Sequence, residues 1–257
     1  VAVDEDAGLS APPAQALHVG AIGQRATAAP GRGIAFFDVD KTILGVNSAK
    51  LWLRRELAAK HITKGQALRA TFWVVLYELG LARMEDVLID AIKTLEGKNE
   101  RDIIQATLRF YRDEVEVHIR PAARAAVQAH KDAGEMVFLL TSSSNYLSAP
   151  IADELKIDGF CANRFDVDAG IFTGRAHLPL CYGAGKVAHA AAVADKVGVA
   201  LTECAFYTDS VTDLPMLEAV GRPVAVDPDP RLKRVAKKRG WPIQHWSPST
   251  SMKALPP

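Results

Sequence analysis

Four short polar clusters carry the side chains able to do chemistry. Asp38-Val39-Asp40-Lys41-Thr42 sets two carboxylates one residue apart, directly behind the apolar run Ile34-Ala35-Phe36-Phe37. In extended backbone that spacing sends both side chains to one side, where one can attack while the other exchanges a proton with a leaving group. Taken alone, such a pair is equally a solvated turn or a simple cation loop. Thr141-Ser142-Ser143-Ser144-Asn145 combines hydroxyls with the free amides of a helix start, which suits a phosphoryl oxygen and equally an ordinary N-cap. Lys186 follows Gly183-Ala184-Gly185 at another helix start, where the helix dipole disfavours a cation and gives it a reason to hold an anion; by itself it reads as a surface lysine. Thr208-Asp209-Ser210-Val211-Thr212-Asp213 again puts acids behind an apolar strand, with Asp209 and Asp213 four apart, which would share one face if a helix starts at once. Hard oxygen donors such as Asp38, Asp209 and Asp213 are what Mg²⁺ takes. Each cluster alone is weak, and the conjunction of all four, in this order, is what points to phosphate chemistry.

The elements that must position these residues alternate. Short apolar runs at 34–37, 136–140, 204–207 and 223–226 read as buried strands, each followed by polar residues. Helical spacing of apolar residues covers 121–133, 146–155, 185–197, 213–220 and 230–239, with Pro121 and Pro230 in first-turn positions. Pro150 requires either a kink in the second of these helices or a regular part that begins there. This alternation is that of an α/β fold, a mostly parallel sheet with helices on both faces, and parallel strands bring their carboxyl ends, with the clusters, to one edge. Residues 47–118 break the pattern: only helical runs are legible, separated near Gly65, Gly80 and Gly97, so they read as a helical insertion. The expected layout is a tail at 1–33, a core at 34–46 and 119–246, a helical unit at 47–118 and a second tail at 247–257, both tails flexible.

With 257 residues, 49% of them hydrophobic, the chain can bury a full core. A net charge of +1 gives no footprint for nucleic acid. Cys161, Cys181 and Cys204 are odd in number and far apart, as in a cytoplasmic protein with reduced thiols. The most apolar stretch, 72–81, contains Glu78 and falls short of the roughly 20 residues of a spanning helix, so no transmembrane segment is expected. The seven histidines are scattered without metal-ligand spacing. The basic run Arg231 to Arg239 reads as a solvated helix face.

Together the motifs resemble those of the haloacid dehalogenase superfamily, in the order of its subfamily IB branch that contains phosphoserine phosphatases, over residues 34–246. Phe-Phe-Asp38-Val-Asp40-Lys-Thr42 resembles the first motif, Leu-Leu-Thr141-Ser the second, Lys186 the third, and Tyr-Thr-Asp209-Ser-Val-Thr-Asp213-Leu-Pro the fourth. The resemblance implies a Rossmann-like core with a C1-type helical cap at 47–118, between the first two motifs. The stretch from Leu155 to Lys186 is too short for a cap in the other position and holds only a small hairpin turned at Ala169-Gly170. Two departures stand out: Lys41 replaces a usually small residue, and Asn47 replaces the glutamate with which phosphoserine phosphatases hold the substrate's amino group, an exchange that argues against phosphoserine.

What the resemblance implies for chemistry is hydrolysis of a small-molecule phosphomonoester. Asp38 attacks phosphorus, Asp40 protonates the leaving oxygen and then activates water, and Thr141, Ser142 and Lys186 bind the phosphoryl group, with Asn47 near the rest of the substrate. Mg²⁺ is held by Asp38, the backbone carbonyl of Asp40 and Asp209, with Asp213 at the edge of the metal site. Closure of the cap would exclude water and select substrates. Phosphoryl transfer to another acceptor, as in mutases, and a lapsed binding protein are the competing readings. The apolar run 72–81 raises a lipid phosphate as one substrate, against the simpler reading of a packed cap helix. Oligomeric state is not legible.

Overall fold

Ile34-Ala35-Phe36-Phe37 is apolar throughout because the strand it forms, β1 (Ile34–Phe37), is covered on both faces. The computed structural model describes residues 33–59 and 84–247. The expected tails, but for Gly33 and Ser247, and the apolar run 72–81 lie outside the described residues. Ile34 and Phe36 enter one core, Ala35 and Phe37 the other, as the two-residue period of a strand dictates.

β2 (Met136–Ser144) and β3 (Gly159–Asn163) follow on one side of β1. A separate antiparallel pair, β4 (Phe165–Asp168) and β5 (Ile171–Ala176), comes next, and then β6 (Ala205–Thr208), β7 (Arg222–Val226) and β8 (Ile243–Gln244) continue the main sheet on the other side. The order is β3-β2-β1-β6-β7-β8, with every adjacent pair parallel. This is the expected α/β architecture. The chain leaves β1 towards β2 and later returns on the opposite flank as β6, so the strand order reverses between them. The crevice beyond the carboxyl ends of β1 and β6 is where such a sheet binds ligands.

Helices α1 (Ser48–Ala58), α2 (Met84–Lys93) and α3 (Glu100–Phe110) lie in the insertion; α4 (Pro121–Asp132), α5 (Asn145–Glu154), α6 (Ala184–Val197), α7 (Leu214–Ala219) and α8 (Pro230–Arg239) belong to the alternating part. Ala123 and Val127 of α4 and Leu147 and Ile151 of α5 pack on one sheet face. Ala190 and Ala194 of α6, Leu217 of α7 and Leu232 of α8 pack on the other. α5 runs through Pro150 from a start at Asn145, so the helix does not wait for the proline. No helix among the described residues is long and apolar enough to cross a membrane.

The insertion leaves and rejoins the core through two paired segments: Leu44 bridges Ile119 antiparallel, the Gly45 N–H donates to the His118 carbonyl at 2.8 Å, and the Arg120 N–H donates to that of Ile43 at 3.0 Å. Trp52 of α1 packs edge-on against Phe110 of α3, ring centroids 5.0 Å apart. At its far side the insertion is tied to the β4–β5 hairpin. The Gly97 N–H donates to the Phe172 carbonyl (2.9 Å), the Phe172 N–H to that of Lys98 (3.0 Å) and the Glu100 N–H to that of Gly170 (2.8 Å). The hairpin turns at Ala169-Gly170, both with positive φ (47° and 82°), the turn that matches strand twist.

Candidate active site

Asp38 is the first residue past β1, and its N–H donates to the Tyr207 carbonyl of β6 at 2.9 Å, which seats it at the switch point. The chain then turns sharply: Asp40 is extended (φ −67°, ψ 130°) and Lys41 left-handed (φ 57°, ψ 2°). A left-handed residue with a side chain costs on the order of 1 kcal/mol, the physical reason a small residue suits this position. The turn aims the Asp40 carboxylate at the start of α1, where Oδ1 accepts the Ser48 N–H at 2.7 Å.

Lys186 is the centre of the site. It is 2% exposed, and its Nζ lies 2.8 Å from Asp38 Oδ1 and 2.8 Å from Asp213 Oδ2. The sequence argument, that a lysine at a helix start needs anionic partners, is met by these two carboxylates. The chain reaches this position because Gly183 takes φ 52° at the N-cap of α6, and because Gly185 passes so close to Leu180 that a Cβ would sit 1.9 Å from its carbonyl oxygen. Burial opposes the lysine's charge, but Asp213 and Asp38 outweigh it and hold the ammonium well above its usual range.

The acids lack enough positive charge among them. Burial pushes Asp38 up to about 8 against the pull of Lys186, with Asp213 and Asp209 adding to the rise. Burial likewise pushes Asp209 up to about 7, opposed by Lys41. Asp40 is raised by burial too, with the Ser48 N–H pulling the other way. A raised carboxyl shifts the balance towards the protonated form, the direction a general acid requires.

Thr141 is buried within β2, and its Oγ1 accepts the Ser143 N–H at 3.1 Å. The Ser142 carbonyl accepts Asn163 Nδ2 at 2.7 Å, and Ser144 caps α5 through the Leu147 N–H. Among the described residues no hydrogen bond joins Thr141 or Ser142 to Asp38 or Lys186. Asn47 caps α1, its Oδ1 accepting the Lys50 N–H at 3.0 Å. Asp213 is engaged by Lys186 and by the Thr208 hydroxyl at 2.6 Å. The buried Thr42 hydroxyl and the Asn145 amide oxygen have no hydrogen-bond partner among the described residues.

Among the described residues no group of three or more His, Cys, Asp or Glu side chains is placed to hold a metal ion by itself. The donor set nevertheless fits Mg²⁺, which uses one or two carboxylates and retains waters. Asp38 and Asp209 are buried carboxylates, and each adds to the other's charge burden at this edge of the sheet. Of the histidines, His130 is engaged elsewhere, by Glu135 and by the Tyr207 hydroxyl. The three cysteines are free, and burial raises their thiols, Cys161 to about 11.

Sequence reasoning missed two supports. Asp229 accepts the Val211 N–H at 2.7 Å, and its own N–H donates to the Asp209 carbonyl at 2.8 Å, which fixes the loop that carries both site acids. The signal was there, since an Asp before Pro230 is a helix start. Asn163 ties Ser142 to Cys181, its Oδ1 accepting the Cys181 N–H at 2.8 Å. No local pattern marks it.

A model of the haloacid dehalogenase-like hydrolases matches residues 35–218. The chain is 34% identical over 215 residues to phosphoserine phosphatase SerB1 of Mycobacterium tuberculosis, covering 82% of this chain and 70% of that one. A protein of unknown function from Bordetella pertussis Tohama I superposes with a TM-score of 0.76 at 28% identity, over 83% of this chain and 98% of the other. A phosphoserine phosphatase solved as a phospho-aspartyl intermediate analogue shares the fold, with a TM-score of 0.63 at 18% identity over 84% of this chain and 94% of that one. The chain belongs to the haloacid dehalogenase-like hydrolases, and within them it is similar to enzymes named as phosphatases.

Proposed function

We propose that the chain hydrolyses small-molecule phosphomonoesters through an aspartyl phosphate on Asp38. The observation that carries this reading is the buried Lys186, which holds Asp38 Oδ1 and leaves Oδ2 for attack. In the first step Asp38 bonds to phosphorus while the ester P–O bond breaks, and Asp40, whose carboxyl burial raises, gives a proton to the departing oxygen. In the second step Asp40 takes a proton from water, whose oxygen attacks phosphorus and releases inorganic phosphate and free Asp38. Lys186, Thr141 and Ser142 stabilise the phosphoryl oxygens. Asp38, the backbone carbonyl of Asp40 and Asp209 would hold Mg²⁺, whose charge offsets that of the transferring group. Asp213 orients Lys186 and, through Thr208, steadies the edge of that site.

Asp38→Asn is expected to lower phosphate release from an aryl phosphate in Mg²⁺ buffer by at least about a thousandfold, with the far-ultraviolet circular dichroism unchanged. Wild-type rates in the folded variant would remove Asp38 from this role. Release of phosphate without an added acceptor separates hydrolysis from phosphoryl transfer.

A further inference from the structure

The ladder between β2 and β3 breaks at Thr141, Ser142 and Ser143. Leu140 pairs with Cys161 and Ser144 with Asn163, so these three residues stand against Ala162 alone and the chain bulges between the two pairs. Such a bulge leaves peptide groups without ladder partners and re-aims the side chains it carries. The Asn163 side chain takes the place of the missing ladder bond: its Nδ2 donates to the Ser142 carbonyl at 2.7 Å. That carbonyl and the Ser143 N–H belong to one planar trans peptide and point in opposite directions. The Ser143 N–H in turn donates to Thr141 Oγ1 at 3.1 Å, and among the described residues this is the only hydrogen bond of that hydroxyl. Its oxygen is oriented by an amide, and its proton remains available to an acceptor.

The other end of the Asn163 amide reaches the approach to Lys186. Oδ1 accepts the Cys181 N–H at 2.8 Å, and the Cys181 thiol donates to the Cys161 carbonyl at 3.5 Å, so β3 holds the segment 180–185 that delivers the lysine. That segment has little slack, because the Tyr182 N–H donates to the Leu180 carbonyl at 2.8 Å and Gly185 passes against the same oxygen. Asn163 and Cys181 are 3% and 0% exposed, so water is not at hand to replace either bond. A carbonyl only accepts and a peptide N–H only donates, and a primary amide serves both at once.

We propose that Asn163 is a positioning residue for phosphoester hydrolysis: its one amide orients the Thr141 hydroxyl through the Ser142–Ser143 peptide and sets that hydroxyl's separation from Lys186 through Cys181. It touches no reacting atom. The proposal rests on the phosphomonoesterase reading, in which Thr141 and Lys186 are two of the arms that hold the phosphoryl group.

The test is a double-mutant cycle with Thr141→Val in the full chain and Mg²⁺ buffer, read on kcat/KM for an aryl phosphate and, without need of turnover, on the Kd of inorganic phosphate. Asn163→Asp keeps the shape and the acceptor for Cys181 but turns a carboxylate oxygen towards the Ser142 carbonyl. It is expected to lower kcat/KM by about thirtyfold in the wild-type chain and by less than about threefold in the Thr141→Val background, with phosphate binding weakened only where Thr141 is present. A residue that merely supports the fold would cost the same in both backgrounds, so equal losses overturn the proposal. Asn163→Ala serves if the aspartate variant does not fold: a loss at least about fivefold smaller in the Thr141→Val background supports the proposal, and a smaller difference overturns it. Failure of both variants to fold assigns Asn163 to the fold alone and likewise overturns it. Equal losses in a wild type that turns over the ester sink this proposal by itself, while no phosphate release from any ester sinks the phosphatase reading with it.

Discussion

Two ion-pair clusters, one half-buried and one buried, stand at the same edge of the sheet and are built to opposite ends. Around Arg120, a single carboxylate, Asp227, accepts from the guanidinium, from the Trp246 and Ser247 amides and from the Ser247 hydroxyl. Burial works against its charge, but these bonds prevail and hold the carboxyl below its ordinary range. Around Lys186, two carboxylates share one ammonium and a third, Asp209, lies near; there burial prevails and Asp38 rises to about 8. The first cluster joins the returning limb of the insertion to the end of β7 and is complete. The second is left short of positive charge, a state that stabilises an arriving cation or phosphoryl group and costs the folded protein until one arrives.

Three substitutions can break this contrast. The largest effect is expected for Lys186→Ala, which leaves Asp38 and Asp213 buried without their cation: turnover is lost, and urea unfolding at pH 7 reports a deficit of about 3–5 kcal/mol. A deficit under 1 kcal/mol would mean that the acids do not depend on the lysine. Next comes Asp227→Asn, expected to cost about 1–3 kcal/mol at pH 7. Because the folded carboxyl sits below its unfolded value of 3.8, its contribution is full above that pH and is lost as pH falls through the folded value, so wild type and variant should converge in acid. The smallest effect has the opposite sign. In EDTA-treated protein, Asp38 ionises more readily when unfolded, so its contribution falls as pH rises from 3.8 towards about 8. Asp38→Asn is free of that loss, and its urea midpoint should lie at or above wild type at pH 8 and approach it near pH 4. A lower midpoint at pH 8 would show that the site is not short of charge.

Much of this was legible because strands covered on both faces spell continuous apolar runs. Residues 34–37 form β1 as read, and 204–207 and 223–226 shift by a single residue at one or both ends. β2 runs on to Ser144 because Ser144 pairs with Asn163 of β3, and neither partner carries an apolar signal. β3 itself, Gly-Phe-Cys-Ala-Asn, is a half-buried edge strand without a pattern to find. In the site, Lys186 could be read from its misfit with the helix dipole, and the acids from their place behind strands. Asp229 and Asn163 act across 18 and 21 residues, through contacts that exist only once the sheet order is known. The left-handed backbone at Lys41 was visible only as an unexpected residue type.

The three peptide hydrogen bonds between residues 97–100 and the β4–β5 turn act as a latch on one end of the insertion, while the paired limbs at Leu44 and Ile119 form a narrow strap at the other. Lifting the latched end would strand those groups at a net loss of about 3 kcal/mol, counting roughly 1 kcal/mol for each bond. The inserted helices are therefore held against motion at the end that meets the hairpin.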